Sequence, residues 1–147
     1  MEKKMRETSK NSKKKWILLP LCLIIVFVLA GCSSTKLSDA FDKETVKSTA
    51  QTAIDYLIAG EYGEVMAMMN ETVKEGLTEE ALTTNVEAMN ELTGTFKEYK
   101  SVAVIGQKDS EGTDMAVVVI VAVFENQNVT YTISLNTNME IVGLWMK

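Results

Sequence analysis

Apolar residues recur at helical spacing between residues 44 and 94, which predicts three helices separated by short breaks. The first predicted helix covers residues 44–59, between an N-cap at Asp42 and a C-terminal stop at Gly60. Its apolar stripe consists of Val46, Ala50, Ala53, Ile54 and Leu57. Such a stripe indicates a helix that packs one face on a core.

Two shorter helices are predicted to follow the first one. The second covers residues 61–69, and residues 70–76 after it are interpreted as a loop or a single turn. The third begins after Thr78, which is a suitable N-cap, and ends at Gly94. The apolar stripe of this third helix consists of Leu82, Val86 and Met89.

Beyond Gly94 the apolar pattern changes to the periods that are typical of strands. Residues 96–105 alternate imperfectly, which predicts a strand with a bulge. Residues 115–124 are continuously apolar and rich in valine, which predicts a central strand covered on both faces. Residues 129–135 alternate apolar with polar side chains, which predicts one solvated face, and residues 141–146 form the last predicted strand.

The order of these elements, helices first and hairpin-linked strands afterwards, predicts the fold class. We expect an α+β domain in which N-terminal helices pack on a curved four-stranded antiparallel sheet. The side chains expected in its core are Leu57, Leu82, Val86, Val117, Val119 and Ile133.

The N-terminal segment is organised like an export signal. Seven basic residues precede an apolar run of 15 residues at positions 16–30. This run is shorter than the roughly 20 residues of a membrane-spanning helix. It ends in Leu29-Ala30-Gly31-Cys32, which resembles the lipobox of bacterial lipoproteins. The resemblance implies cleavage before Cys32 and acylation of that cysteine, which would hold the protein on the outer face of the cell membrane.

Three segments follow from this interpretation of the N-terminus. Residues 1–31 are a signal peptide, residues 32–42 a lipid-anchored tether and residues 43–147 a single α+β domain. Because Cys22 lies within the signal, the mature protein retains one cysteine and no intramolecular disulfide.

The charge balance narrows the classes of partner. From Cys32 onward the chain has 8 Lys/Arg and 18 Asp/Glu residues, a net charge of −10. Such a domain repels phosphate backbones and lacks the basic surface that docks on anionic lipid. We therefore expect no nucleic-acid partner, and contact with the membrane through lipid on Cys32.

The composition also argues against common kinds of chemistry. The chain contains no histidine, which removes the commonest general base and the commonest metal ligand. No spacing of carboxylates indicates a calcium loop or a paired-acid site. We therefore expect no cofactor, no metal site and no catalytic residue.

Four short segments of the mature chain resemble a bacterial family, the domain-of-unknown-function family 3887. They are Ala59-Gly60-Glu61-Tyr62, Leu77-Thr78-Glu79-Glu80, Leu92-Thr93-Gly94-Thr95-Phe96 and Gly143-Leu144-Trp145. The resemblance covers about residues 44–147 and implies a cystatin-like or nuclear-transport-factor-like cone. Members of the family are typically secreted or lipid-anchored, and some carry the domain ahead of an α/β-hydrolase domain. The matching motifs mark the fold and transfer no catalytic residue.

An adaptable apolar pocket inside such a cone is the first candidate site. Its candidate lining residues are Met66, Met69, Met89, Tyr99, Tyr131 and Trp145. The alternative for all six is ordinary packing in the core or on a strand, since methionine fills irregular cores as readily as it lines pockets. Asp55 beside Tyr56 could form an acid–base pair, but its angular position opposite the apolar stripe predicts solvated surface.

These observations favour a non-catalytic, membrane-tethered module that binds a small apolar ligand, a peptide or another envelope protein. Pairing of two copies through the sheet is a further candidate interaction. The alternatives are a structural envelope protein, and an enzyme that uses Asp, Glu or Tyr chemistry inside the cone. An apolar, open interior would favour binding, and a filled interior would favour the structural role.

Overall fold

The computed structural model describes residues 36–147 of the chain. The predicted signal peptide, its cleavage site and the predicted lipidation site at Cys32 lie outside the described residues. Among residues 36–147, no helix is both long enough and apolar enough to cross a membrane.

Four helices precede the sheet. They are α1 (Lys43–Ala59), α2 (Tyr62–Ala67), α3 (Glu71–Gly76) and α4 (Glu79–Thr93). Three of them begin at side-chain caps of the predicted kind, because the oxygens of Asp42, Asn70 and Thr78 accept backbone N–H groups of the first turn. The segment interpreted as a loop or single turn is helix α3, which the Asn70 cap begins through a 3.0 Å bond from Val73 N–H.

Four strands form one antiparallel sheet in the order β1-β2-β3-β4. The strands are β1 (Phe96–Lys108), β2 (Asp114–Phe124), β3 (Asn128–Leu135) and β4 (Ile141–Met146). The α+β prediction is therefore confirmed. The predicted irregularity of the first strand is also confirmed, since its pairing with β2 shifts register between Phe96 and Glu98 and again between Tyr99 and Ser101.

The core lies between α1 and one face of the sheet, which we call the inner face. The α1 side chains Val46, Ile54 and Leu57 are fully buried there, as are Val118, Ile120 and Ile133 of the central strands. Leu82 and Val86 of α4 are also buried, at 3% and 2% exposure, which confirms the helix stripes as core. Burial of this continuous set supplies the main free energy of folding.

The prediction for the second strand is correct on the inner face and only partly correct on the opposite one. Ala116, Val118, Ile120 and Ala122 point inward and are fully buried. On the opposite face Val117 is buried at 5% exposure, as predicted, but Val119 is only half-buried. Within residues 36–147 the helices contact the sheet from the inner side, so Val119 is not in the core as predicted. A continuously apolar strand is typical of a sheet covered on both faces, whereas here helices pack on one face and the other is partly exposed.

The tether prediction is also corrected. Phe41 is only 8% exposed and joins the core, and Leu37 packs against it. The Ser38 hydroxyl donates a 2.9 Å hydrogen bond to Asp114 at the start of β2. A Cβ built on Gly106 of β1 would overlap the Lys36 carbonyl oxygen, so the chain passes closely over that glycine. Residues 36–42, predicted as tether, therefore lie against the domain.

Candidate protein interface

The side of the sheet away from α1, which we call the outer face, is the most unusual surface of the domain. Successive side chains of a strand point to opposite faces, so the ladder pairing of the buried residues fixes which ones point outward. The uncharged residues assigned in this way to the outer face of the four strands include Ser101, Ala103, Ile105, Val117, Val119, Val121, Val123, Thr130, Thr132, Ser134, Gly143 and Trp145.

One transverse row crosses the middle of the outer face. Ala103 pairs with Val119, Val119 with Thr132, and Thr132 with Trp145. Trp145 is 60% exposed, and Val119 and Thr132 are half-buried. We call these four residues the central row. It joins a small side chain on one edge strand to the largest side chain of the described chain on the other.

The Trp145 side chain lies flat against its own strand. A Cβ built on Gly143 would overlap Cη2 of the indole, so the ring occupies the space above that glycine. An aromatic ring laid over an edge glycine shields the backbone and fills the missing side-chain volume. The result is a broad apolar surface on β4 rather than a side chain that extends into solvent.

The outer face differs from the helical side in charge. The strand pairing assigns two charged residues to the outer face. They are Glu98 on β1 and Lys147, whose backbone pairs with Thr130 after β4 ends. The bulge residues Lys97 and Lys100 lie at the β1 edge. In contrast, the helices contain nine acidic residues and three basic ones. The acidity of the domain is thus concentrated on the side opposite the outer face.

The six candidate pocket residues do not line one cavity. Met69 and Tyr131 are core residues, at 2% and 3% exposure, and Met66, Met89 and Tyr99 are packed against that core. Trp145 lies on the opposite face of the sheet from Tyr131, so these two residues cannot line the same cavity. The reason is that α1 fills the inner side of the sheet, where the pocket was expected.

Tyr99 and Asp55 are hydrogen-bonded to each other and are the candidates for an acid–base pair among residues 36–147. The Tyr99 hydroxyl donates a 2.5 Å hydrogen bond to Asp55 Oδ1, which places the exposed Asp55 beside β1. Burial raises the pKa of Tyr99 far above its ordinary value, and the bond to Asp55 and its negative charge raise that pKa further. Tyr99 therefore stays protonated at neutral pH and serves as a hydrogen-bond donor.

The helical side carries an open cleft of about 610 Å³ around the turn between α1 and α2. Tyr56 and Tyr62 line it together with Glu61, Glu64 and Glu79. Burial and the charge of Glu87 raise the pKa of Tyr62. Carboxylates dominate this cleft, but no group of three potential ligands in residues 36–147 is arranged to hold a metal ion.

A family comparison matches most of this domain. The family described as "Protein of unknown function (DUF3887)" matches residues 50–144, which span α1 from its middle, the other helices and nearly all of the sheet. The chain belongs to this family. The matched region includes Ala103, Val119 and Thr132 of the central row. No curated protein matches the chain.

A solved structure shows a similar fold. It is titled "NMR structure of protein from Ruminococcus gnavus ATCC 29149" and is 26% identical in sequence, with a TM-score of 0.66. The alignment covers 77% of this chain and 97% of that one. A similar fold thus accounts for nearly all of that solved chain.

The outer face contains functional candidates that the sequence analysis did not single out. The sequence pattern identified Trp145 as a candidate binding residue. The same pattern placed Val119 in the core and indicated no role for Ala103 or Thr132. The available signal was the pairing of a valine-rich strand with a strand whose second face is Thr and Ser. On the outer face this pairing places the valines of β2 beside the Thr and Ser side chains of β3. Few charged residues lie on that face.

Proposed function

We propose that this DUF3887 protein is an extracytoplasmic lipoprotein whose domain binds another protein through the outer face and catalyses no reaction. The observation that carries the proposal is the apolar outer face of the sheet, on which Val119, Val121 and Val123 of β2 are only half-buried and Trp145 of β4 is 60% exposed. Tryptophan is among the residues that contribute most to protein interfaces, particularly where neutral contacts surround it and exclude water. The central row supplies that arrangement.

The filled inner face favours a protein partner over a small apolar ligand. A small ligand needs a concave site that buries most of its surface. In this domain α1 fills the inner side of the sheet, with Ile54 and Leu57 fully buried. The outer face is instead the surface of a four-stranded sheet, which suits the larger contact area of a protein–protein interface.

The N-terminal signal supports the lipid anchor. Seven basic residues, a 15-residue apolar run and Leu29-Ala30-Gly31-Cys32 occur in the order that export and lipidation require. Since residues 36–42 lie against the domain, only Cys32 to Lys36 would remain to span the distance to the lipid. Four residue steps reach at most about 14 Å. The domain would therefore stay close to the membrane surface, where its partner must also be.

The available side chains support binding rather than chemistry. Without histidine, a general base near neutral pH would have to be a carboxylate or tyrosine with a strongly shifted pKa. Burial raises the pKa of Tyr131 to about 12, and that of Tyr99 is also raised, so neither accepts a proton at neutral pH. Asp55 beside Tyr99 is exposed, which leaves it without a water-excluded site for catalysis.

Lipidation is tested by the intact mass of the full chain expressed in a bacterial host. We expect a mature protein that begins at Cys32 and carries diacylglycerol, and a Cys32→Ala variant that is neither processed at this position nor lipidated. Cys22→Ser is the matched control and should leave both steps unchanged. A Cys32→Ala protein that matures at the same site and still partitions into detergent would refute the anchor.

Binding through the outer face is tested by cross-linking in membranes. A Thr132→Cys variant places a thiol in the central row, and an Ala88→Cys variant places one on the exposed surface of α4. With a photocross-linker attached to the introduced thiol through a maleimide, we expect a protein cross-link from position 132 and not from position 88. Equal yields from both positions, or none from position 132, would exclude the outer face as the docking surface.

A further inference from the structure

We propose that the partner is a second copy of this chain, paired outer face to outer face about a two-fold axis that runs along the strands between β2 and β3. This inference rests on the proposed function, since it needs the outer face to be a docking surface. It adds the identity of the partner and the geometry of the pair. Self-complementarity is the property that such a symmetric interface requires.

The central row is complementary in size to itself under this rotation. The two-fold axis places β4 of one copy over β1 of the other, and β2 over β3. Within the row, Trp145 then faces the partner's Ala103, and Val119 faces the partner's Thr132. Because the Trp145 ring extends over Gly143, it lies between the partner's small Ala103 and Ile105, and the two intermediate side chains of similar volume meet each other.

Sheet twist shifts this pairing only slightly. Aligned sheets cross at about 30°, and edge strands lie about 7 Å from the axis when strands are spaced about 4.8 Å apart. The edge contacts therefore move by about 4 Å along the strand, roughly half a row. The Trp145 ring, which extends over Gly143, then stays near the partner's Ala103 and Ile105, both of which it can cover.

The adjoining row shows the same complementarity. It consists of Ile105, Val117, Ser134 and Gly143, so the rotation places the partner's Ile105 over Gly143. Because the Trp145 indole occupies the space above Gly143, this isoleucine would contact the ring. The partner's isoleucine would therefore pack on the indole and not on the glycine itself.

The two charged residues of the outer face are placed to attract each other across the pair. Lys147 lies at the β4 edge in the row of Ser101, and Glu98 lies at the β1 edge in the next row. The rotation brings Lys147 over the partner's β1, within one row spacing of Glu98, and does so twice in the symmetric pair. A lysine side chain is long enough to bridge that distance.

Net charge also favours this face over any other for self-association. Two domains with a net charge of −10 repel each other when their helical sides meet. In the proposed pair the sheets lie about 10 Å apart and each helical layer lies about 10 Å beyond its sheet. The helical layers are then roughly 30 Å apart, several times the Debye length of about 8 Å, so their repulsion is screened.

The size of the face predicts a weak dimer. Four strands spaced about 4.8 Å apart and three to five outward rows give about 400–600 Å² per copy. The pair would bury about 1,000 Å² in total, which is near the lower limit for a specific interface. Confinement of both copies to a membrane surface raises their effective concentration and favours such a dimer.

A charge exchange tests the geometry in the soluble domain. Residues 36–147 contain a continuous core of their own, and the similar solved chain from Ruminococcus gnavus consists almost entirely of this fold. By sedimentation over micromolar to millimolar concentrations we expect a monomer–dimer equilibrium. Glu98→Lys or Lys147→Glu alone should weaken association by roughly threefold to tenfold, and the double exchange should restore most of it.

Controls separate this geometry from a general effect of charge. Glu87→Lys on the exposed surface of α4 changes the net charge by the same amount as Glu98→Lys and should not weaken the dimer. Trp145 is the single tryptophan of residues 36–147, so its emission should shift to shorter wavelength as the dimer forms. A domain that stays monomeric at millimolar concentration, or a double exchange that fails to restore association, would overturn the proposal.

Cross-linking of the full chain in membranes distinguishes failure of this inference from failure of the proposed function. Two differently tagged copies with Thr132→Cys should yield one product that carries both tags and has twice the mass. A product with a different protein would overturn self-pairing and leave the binding function standing. No product above the Ala88→Cys control would overturn both.

Discussion

Adjacent valines on β2 provide a matched test of which face of the sheet is covered. Val118 is fully buried on the inner face, and Val119 is half-buried in the central row of the outer face. Alanine at either position removes the same two methyl groups from the same central strand. The loss of intrinsic strand preference is therefore common to both variants, and the difference between them reports burial.

The magnitude follows from the burial of each side chain. Removing two fully buried carbon groups costs about 1.6 kcal/mol of transfer free energy. The cavity left in the core adds about 24 cal/mol per Å³, so Val118→Ala should lower the free energy of unfolding by about 2–3 kcal/mol. At Val119 water replaces the lost methyl groups and no cavity forms, so the cost should stay below about 1 kcal/mol.

Urea unfolding of residues 36–147, followed by circular dichroism, measures both variants. The protein concentration should lie below the range in which the dimer forms, because pairing would add to the apparent stability of the folded state and thus to the cost at Val119. The expected difference between the variants exceeds about 1 kcal/mol. Equal costs, or a larger cost at Val119, would show that a cover on the outer face has been overlooked and would refute the assignment of faces.

Two further predictions concern a helix cap and alkaline pH. Thr78→Ala removes the oxygen that accepts Ala81 N–H at 3.2 Å and should cost about 1 kcal/mol, whereas the exposed Thr84→Ala in the same helix should cost less than about 0.5 kcal/mol in the same urea assay. Because burial raises the folded-state pKa of Tyr131 from 10.0 to about 12, the unfolded chain loses this proton first as pH rises. The free energy of unfolding should then be undiminished below about pH 10 and fall by about 2–3 kcal/mol towards pH 12. Tyr131→Phe should lack this part of the loss, and identical alkaline profiles for the two proteins would contradict the cause.

The local pattern of the sequence determined most of the secondary structure. Caps at Asp42 and Thr78 and the stop at Gly60 located α1 and α4 within a residue, because these signals act within one helical turn. The alternation of β3 identified its inner side chains correctly, since a two-residue period leaves no other assignment once one face is apolar. The α+β order followed from those elements, and family membership agreed with it.

The sequence could not decide where segments that pack at long range would lie. Phe41 and Leu37 join the core through contacts with elements far along the chain, so the segment before α1 resembled a free tether. The Tyr99–Asp55 bond likewise spans 44 positions, and helix periodicity alone placed Asp55 in solvent. Only the tertiary structure brings such residues together, because nothing in the local pattern encodes which element lies opposite.

The outer face best separates what the sequence determines from what the tertiary structure determines. The sequence determined that β2 is apolar on both sides, since its valines follow one another without a polar break. Whether each side is covered depends on the number of layers that pack against the sheet, and the helices of residues 36–147 pack on the inner side. The tertiary structure therefore changed Val119 from an expected core residue into a half-buried residue of the outer face. The physical reason is that hydrophobicity favours removal from water, but it does not specify whether the same chain or another one provides the cover.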